Sequence, residues 1–184
     1  MSSSATLIFP RLHGDQVPIG SRRLLEKVQK GFGFIPNLYA AFSNSPILLE
    51  GYIGLDAAFG RGTLSPAERQ LVLLTASVVN ECAYCVAAHS TAAKGIKIPA
   101  TVVAAVRTGE LLADAKLNAL VNLTRELVLG RGHIATATIQ SFLDAGYLSD
   151  QIGEVLVGVA LKTISNYTHH LSPVEIDSAF QAEA

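Results

Sequence analysis

Leu64-Ser65-Pro66-Ala67-Glu68-Arg69-Gln70-Leu71-Val72-Leu73-Leu74-Thr75-Ala76-Ser77-Val78-Val79 decides the fold class. Ser65 is a capping residue, Pro66 suits the first helical position, and Glu68 three residues on completes a capping box. The helix they open is apolar on nearly every side from Leu71 to Val79, so it belongs in the middle of a bundle. A central helix needs others around it, and the rest of the chain supplies them. Upstream, Ser21 caps a helix carrying Leu24, Leu25 and Val28 that stops near Gly31-Phe32-Gly33, Pro36 opens a short helix through Phe42, and Pro46 opens one ending at Gly60-Arg61-Gly62. Downstream, a break at Asn80-Glu81 leads into a helix that Gly95 ends, and Pro99 starts another that Gly109 ends. Asp114 to Leu129 is amphipathic, and helices over 136–145 and 149–169 follow. No segment alternates with period two for long enough to argue a strand, so the spacing predicts an all-α domain.

The 184 residues suit one domain. Residues 1–20 contain Pro10, Gly14, Pro18 and Gly20 and read as an extended arm, 21–175 as the helical domain, and 176–184 as a polar tail. Hydrophobic residues make up 49% and charged ones 16%, which predicts further apolar surface covered in a homo-oligomer. A net charge of −1 offers no footprint for nucleic acid or an acidic membrane face. The start MSSSATLIFPRLHGD lacks the pattern of a secretion signal, and Leu71–Val79 is far short of the ~20 apolar residues that cross a bilayer. A soluble, cytoplasmic protein is expected.

The chain has two cysteines, in the run Glu81-Cys82-Ala83-Tyr84-Cys85-Val86-Ala87-Ala88-His89. Two close cysteines in a reducing compartment point to redox chemistry or a metal rather than a disulfide scaffold. On a helix, positions 82, 85 and 89 line one stripe. Cys82 falls at the helix start, where free N–H groups and the dipole favour a thiolate. Cys85 is placed to close a disulfide with Cys82, and His89 to take a proton from Cys85. A structural zinc site wants four ligands and the run supplies three, with His169 or His170 the only candidates for a fourth, so no metal is expected.

With Leu64–Gln70 ahead of it, the Cys-x-x-Cys-x-x-x-His run resembles the carboxymuconolactone decarboxylase/AhpD-like superfamily, and within it the peroxidase-related branch. Gly33-Phe34-Ile35-Pro36-Asn37-Leu38 and Ile164-Ser165-Asn166-Tyr167-Thr168-His169-His170 resemble that branch too, so the likeness spans about residues 20–175. The resemblance implies an AhpD-like multi-helix bundle assembled as trimers or hexamers, with a dimer the smaller alternative. It implies reduction of hydroperoxides without haem, flavin or metal. Carried over by position, Cys85 is the thiol nearest the proton relay, Cys82 its disulfide partner and His89 the relay base. A small dithiol, or a lipoyl-bearing or thioredoxin-like protein, would restore the thiols. The family's relay glutamate falls where this chain has Gln70, which can orient a histidine but cannot accept its proton. Glu81, beside Cys82, is the candidate replacement acid, and Glu68 is explained by its cap. Tyr84, Asn166, Tyr167 and His170 are candidates for lining the substrate site. Two alternatives keep the fold: a lactone decarboxylase, which does not need two thiols, and a redox-sensing or binding module that does not turn over.

Overall fold

A computed structural model describes residues 8–184; the first seven residues of the expected arm lie outside it. Among the described residues nine α-helices follow one another: α1 (Ile19–Phe32), α2 (Asn37–Phe42), α3 (Pro46–Gly60), α4 (Pro66–Val79), α5 (Ala83–Gly95), α6 (Ala100–Thr108), α7 (Ala115–Leu129), α8 (Thr136–Asp144) and α9 (Ser149–Leu171). No strand occurs among the described residues. The domain is all-α, and none of these helices is long and apolar enough to cross a membrane.

Helix α4 begins as its sequence dictates. The Ser65 side chain accepts from the Glu68 N–H while the Glu68 carboxylate accepts from the Ser65 N–H at 2.7 Å, and Pro66 occupies the first turn. Residues Leu71 to Ser77 are all buried. Around α4 pack α5, α6, α7 and α9, so its apolar circumference is fully used. Gly158 of α9 makes a close approach: a Cβ there would stand 2.7 Å from Val72 and 2.9 Å from Phe59. Only a glycine lets α9 lie that close to α3 and α4.

The first helix differs from its expected start. Pro18 rather than Ser21 precedes it, and Ser21 is buried inside the helix, its hydroxyl donating to the Ser43 carbonyl at 2.8 Å. A hydroxyl near a helix start reads as a cap in sequence, but here it joins α1 to the end of α2.

The two chain ends are also more structured than their composition suggested. Phe9 and Ser172 exchange hydrogen bonds at 3.0 and 3.2 Å, fastening the arm to the end of α9. Residues Ser178–Glu183 form a 3-10 turn, and Phe180 within it is buried against Phe34 and Tyr84. Asp177 is buried with its carboxylate at the start of α2, accepting from the Asn37 N–H at 3.1 Å. The last residues are therefore a strap across the domain rather than a polar tail.

Candidate active site

Cys82 stands just before α5 and Cys85 in its first turn, because Asn80 ends α4 and Glu81 turns the chain with a positive φ of 56°. Both cysteines are free thiols, 0% and 1% exposed, and both lie in the larger of two apolar clusters. Cys85 opens on a cavity of about 460 Å³. Phe32, Phe34, Tyr39, Tyr52 and Phe180 form its aromatic walls, and Asp56, Gln70, His89 and Lys162 its polar ones.

The two sulfurs are electrostatically unequal. The Cys85 thiol is lowered from 9.0 to about 5, first by Cys82 as donor, then by the positive charge of Lys162 and by the Ser165 and Asn166 side chains, which together outweigh burial. The Ser165 hydroxyl lies 3.9 Å from the sulfur. Asn166 is buried, its side-chain oxygen accepts from Asn80 at 2.9 Å, and its amide nitrogen makes no hydrogen bond among the described residues. Cys82 moves the other way, raised by donating to Cys85 and by burial. This reverses the expectation that the helix start would make Cys82 the thiolate. Several donors and a cation converge on Cys85, whereas Cys82 has an apolar setting and one acceptor.

His89 lies on the cavity wall with both ring nitrogens engaged. Nδ1 is 3.1 Å from the Gln70 side-chain oxygen, which fixes the proton on Nδ1, and Nε2 accepts from Lys162 Nζ at 2.8 Å. Burial and the adjacent lysine hold the imidazole well below its usual range, so it is neutral. No hydrogen bond joins the ring to either sulfur among the described residues. Glutamine at position 70 is consistent with this neutral ring, since a carboxylate at that nitrogen would favour the imidazolium.

Lys162 is the site residue that sequence reasoning missed. It is 1% exposed on α9, seventy-three residues from His89. Its signal was a lysine on the stripe Val155, Gly158, Leu161, Ser165, every other member of which is apolar or small. Asp56 was also missed; it lines the same cavity, its carboxyl raised by burial and pulled back in part by Lys162.

The remaining sequence candidates divide. Tyr84 lines the cavity, and its hydroxyl donates to Asp177 at 2.6 Å, which anchors the C-terminal strap beside Cys85. Asn166 faces Cys85. Glu81, Tyr167 and His170 are exposed and line no part of this cavity, so the fold does not bring them to the sulfurs. Glu81 is turned outward by its left-handed backbone, and Tyr167 and His170 lie on the outer side of α9. Among the described residues no three His, Cys, Asp or Glu side chains stand together as ligands for a metal ion.

Residues 48–123, which include the Cys82–His89 run, match the model of the carboxymuconolactone decarboxylase family. Three solved structures share the fold over nearly the whole chain. An uncharacterized peroxidase-related protein from Silicibacter sp. TM1040 is 16% identical, with a TM-score of 0.80 and 99% of each chain covered. An alkylhydroperoxidase AhpD core protein from Ralstonia eutropha JMP134, also uncharacterized and peroxidase-related, is 18% identical, with a TM-score of 0.82 and 94% and 93% covered. The debrominase Bmp8, in complex with 2,3,4-tribromopyrrole, is 15% identical, with a TM-score of 0.81 and 98% and 97% covered. The chain has the all-α fold of these AhpD-like structures. No curated protein matches the chain by sequence. The debrominase shows one chemistry that this fold hosts.

Proposed function

We propose that the protein is a cofactor-free, thiol-dependent peroxidase acting on small apolar hydroperoxides. The observation that carries this reading is Cys85, its thiol lowered by Cys82 and Lys162, opening on an aromatic-walled cavity with a second thiol in the preceding turn. The Cys85 sulfur attacks the distal oxygen of the O–O bond, forming a sulfenic acid and releasing an alcohol. The Cys82 thiol then displaces water from that sulfenic acid, and the pair closes as a disulfide. An external dithiol, small or borne on a lipoyl or thioredoxin-like protein, exchanges with the disulfide and is itself oxidised. This cycle suits the reducing cytoplasm, and the protein acts there as a homo-oligomer.

Thiol titration before and after one equivalent of cumene hydroperoxide tests the cycle. Two thiols disappear together in the native chain, whereas Cys82→Ser stops at a sulfenic acid that a dimedone probe captures. Unchanged thiols in the native chain would sink the peroxidase reading.

The aromatic walls also favour a second substrate for the same thiolate, a halogenated aromatic undergoing reductive dehalogenation. Halide release without hydroperoxide consumption would select it. A lactone decarboxylase would liberate carbon dioxide with both thiols intact. A sensor would oxidise once and find no reductant to sustain turnover.

A further inference from the structure

Lys162 is an ammonium removed from water with no carboxylate oxygen within 4.0 Å, the distance of an ion pair, among the described residues. Leaving such a charge uncompensated is costly, and an isolated buried ion gives up its proton instead. The groups around it supply one negative charge at the right place. Helix α5 presents neutral His89, the Cys82 thiol and Cys85, while Tyr84 on the same helix, Tyr52 on α3 and Tyr39 on α2 are neutral phenols. Gln70 of α4 is uncharged, and Asp56 of α3 lines the same cavity beyond ion-pair reach of Lys162. The compensating charge is the Cys85 thiolate.

Building on the peroxidase reading, we infer that Lys162 is the acid of the reaction: the counter-ion of the Cys85 thiolate before attack and the proton donor to the leaving oxygen during it. The geometry links the two roles. When Cys85 takes up the distal oxygen, its negative charge passes to the leaving alkoxide, and the ammonium loses its partner as a basic oxygen appears in the cavity it lines. Thiolate, ammonium and hydroperoxide become sulfenic acid, amine and alcohol. Sulfenic acid and the Cys82 thiol then give the disulfide and water. Reduction by a dithiol returns two thiols, and the Cys85 proton passes to the Lys162 amine, restoring the thiolate–ammonium pair. The two protons that leave in the alcohol and the water return with the dithiol. The lone pair of His89 Nε2, held by the Gln70 bond on the opposite nitrogen, positions the amine throughout. A neutral imidazole suits this role, and Gln70 helps keep it neutral.

Two electrophiles separate the roles of Lys162. Iodoacetamide expels iodide, which needs no proton, whereas cumene hydroperoxide expels an alkoxide, which does. In Lys162→Arg the charge beside Cys85 remains but the proton cannot be given away. Its alkylation rate should stay within a few-fold of the native rate, while its oxidation by cumene hydroperoxide falls about a hundredfold or more, the range of general-acid catalysis. Parallel losses with both reagents, or none with the hydroperoxide, would overturn the proposal. A second measurement needs no variant. The native oxidation rate should vary little across hydroperoxides whose leaving alcohols differ in acidity, because the proton arrives as the O–O bond breaks; a steep dependence would overturn Lys162 as the donor and leave the peroxidase reading standing. If native protein fails to consume hydroperoxide, the peroxidase reading and Lys162 as its acid fall together, and slower iodoacetamide alkylation in Lys162→Met than in Lys162→Arg still decides whether its charge is tied to Cys85.

Discussion

The two apolar clusters of the molecule share α4 and α5 yet are built differently. The one on the far side of the cavity joins Leu71, Leu74, Ala93, Ile98, Val103, Ala105, Val106, Leu112 and Val121, with no aromatic ring among them. The other contains both cysteines and the buried aromatic residues, and the polar side chains of Lys162, Ser165 and Asn166 are buried beside it. Aliphatic side chains pack by shape alone and leave little void. Rings from α1, α2 and α3 and from the C-terminal strap instead wall a cavity, and polar groups are tolerated there because each offsets another. Leu71 and Leu74 on one side of α4 hold the bundle, while Leu73 on the other helps wall the space where a substrate would lie. Stability and chemistry are thus divided between opposite sides of the same helices.

Substitutions can break that division. The largest expected effect is in the cavity cluster, where Cys85→Ser should lower reaction with hydroperoxide by at least about a thousandfold with little change in melting temperature, because the nucleophile is gone and the volume kept. Leu74→Ala in the aliphatic cluster should do the reverse. It should cost about 2–5 kcal/mol in denaturant unfolding while Cys85 alkylates at the native rate in the folded protein. A collapse of Cys85 reactivity in folded Leu74→Ala would show that the two clusters are not separable.

A smaller effect concerns pH and stability. The Cys85 thiol is lowered from 9.0 to about 5 in the folded chain, so between those values the unfolded chain binds more protons. The stability from this group is complete above pH 9 and is lost as pH falls through about 5. His89, held neutral in the fold, adds a loss of the same sign below its ordinary value of about 6.5. Melting temperature should therefore rise from pH 5 to pH 8, and Cys85→Ser should rise less steeply. Equal slopes in the two proteins would remove the thiolate as the cause.

How much of this could be read along the chain follows the same divide. The aliphatic cluster and α4 were legible because capping and apolar periodicity are local properties of Ser65–Val79. The placement of Cys82, Cys85 and His89 along the first half of α5 was legible for the same reason. Lys162 was not, because a lysine on a helix ordinarily faces water, and only the tertiary approach permitted by Gly158 puts α9 against α4. Phe180 and Asp177 were hidden in a segment whose composition reads as solvated, although Phe180 closes the cavity and Asp177 anchors Tyr84. The inequality of the thiols was hidden most deeply. Local rules favour a thiolate at the helix start, and four groups from outside that turn or across it override them at Cys85.

Site-resolved alkylation against pH, read by mass spectrometry on the native dithiol protein, addresses the activated Cys85 thiolate without reference to any substrate. Cys85 should be modified with a midpoint near pH 5, while Cys82 remains unmodified through pH 9. A shared midpoint near the ordinary thiol value of about 8.5, or modification of Cys82 first, would contradict the account.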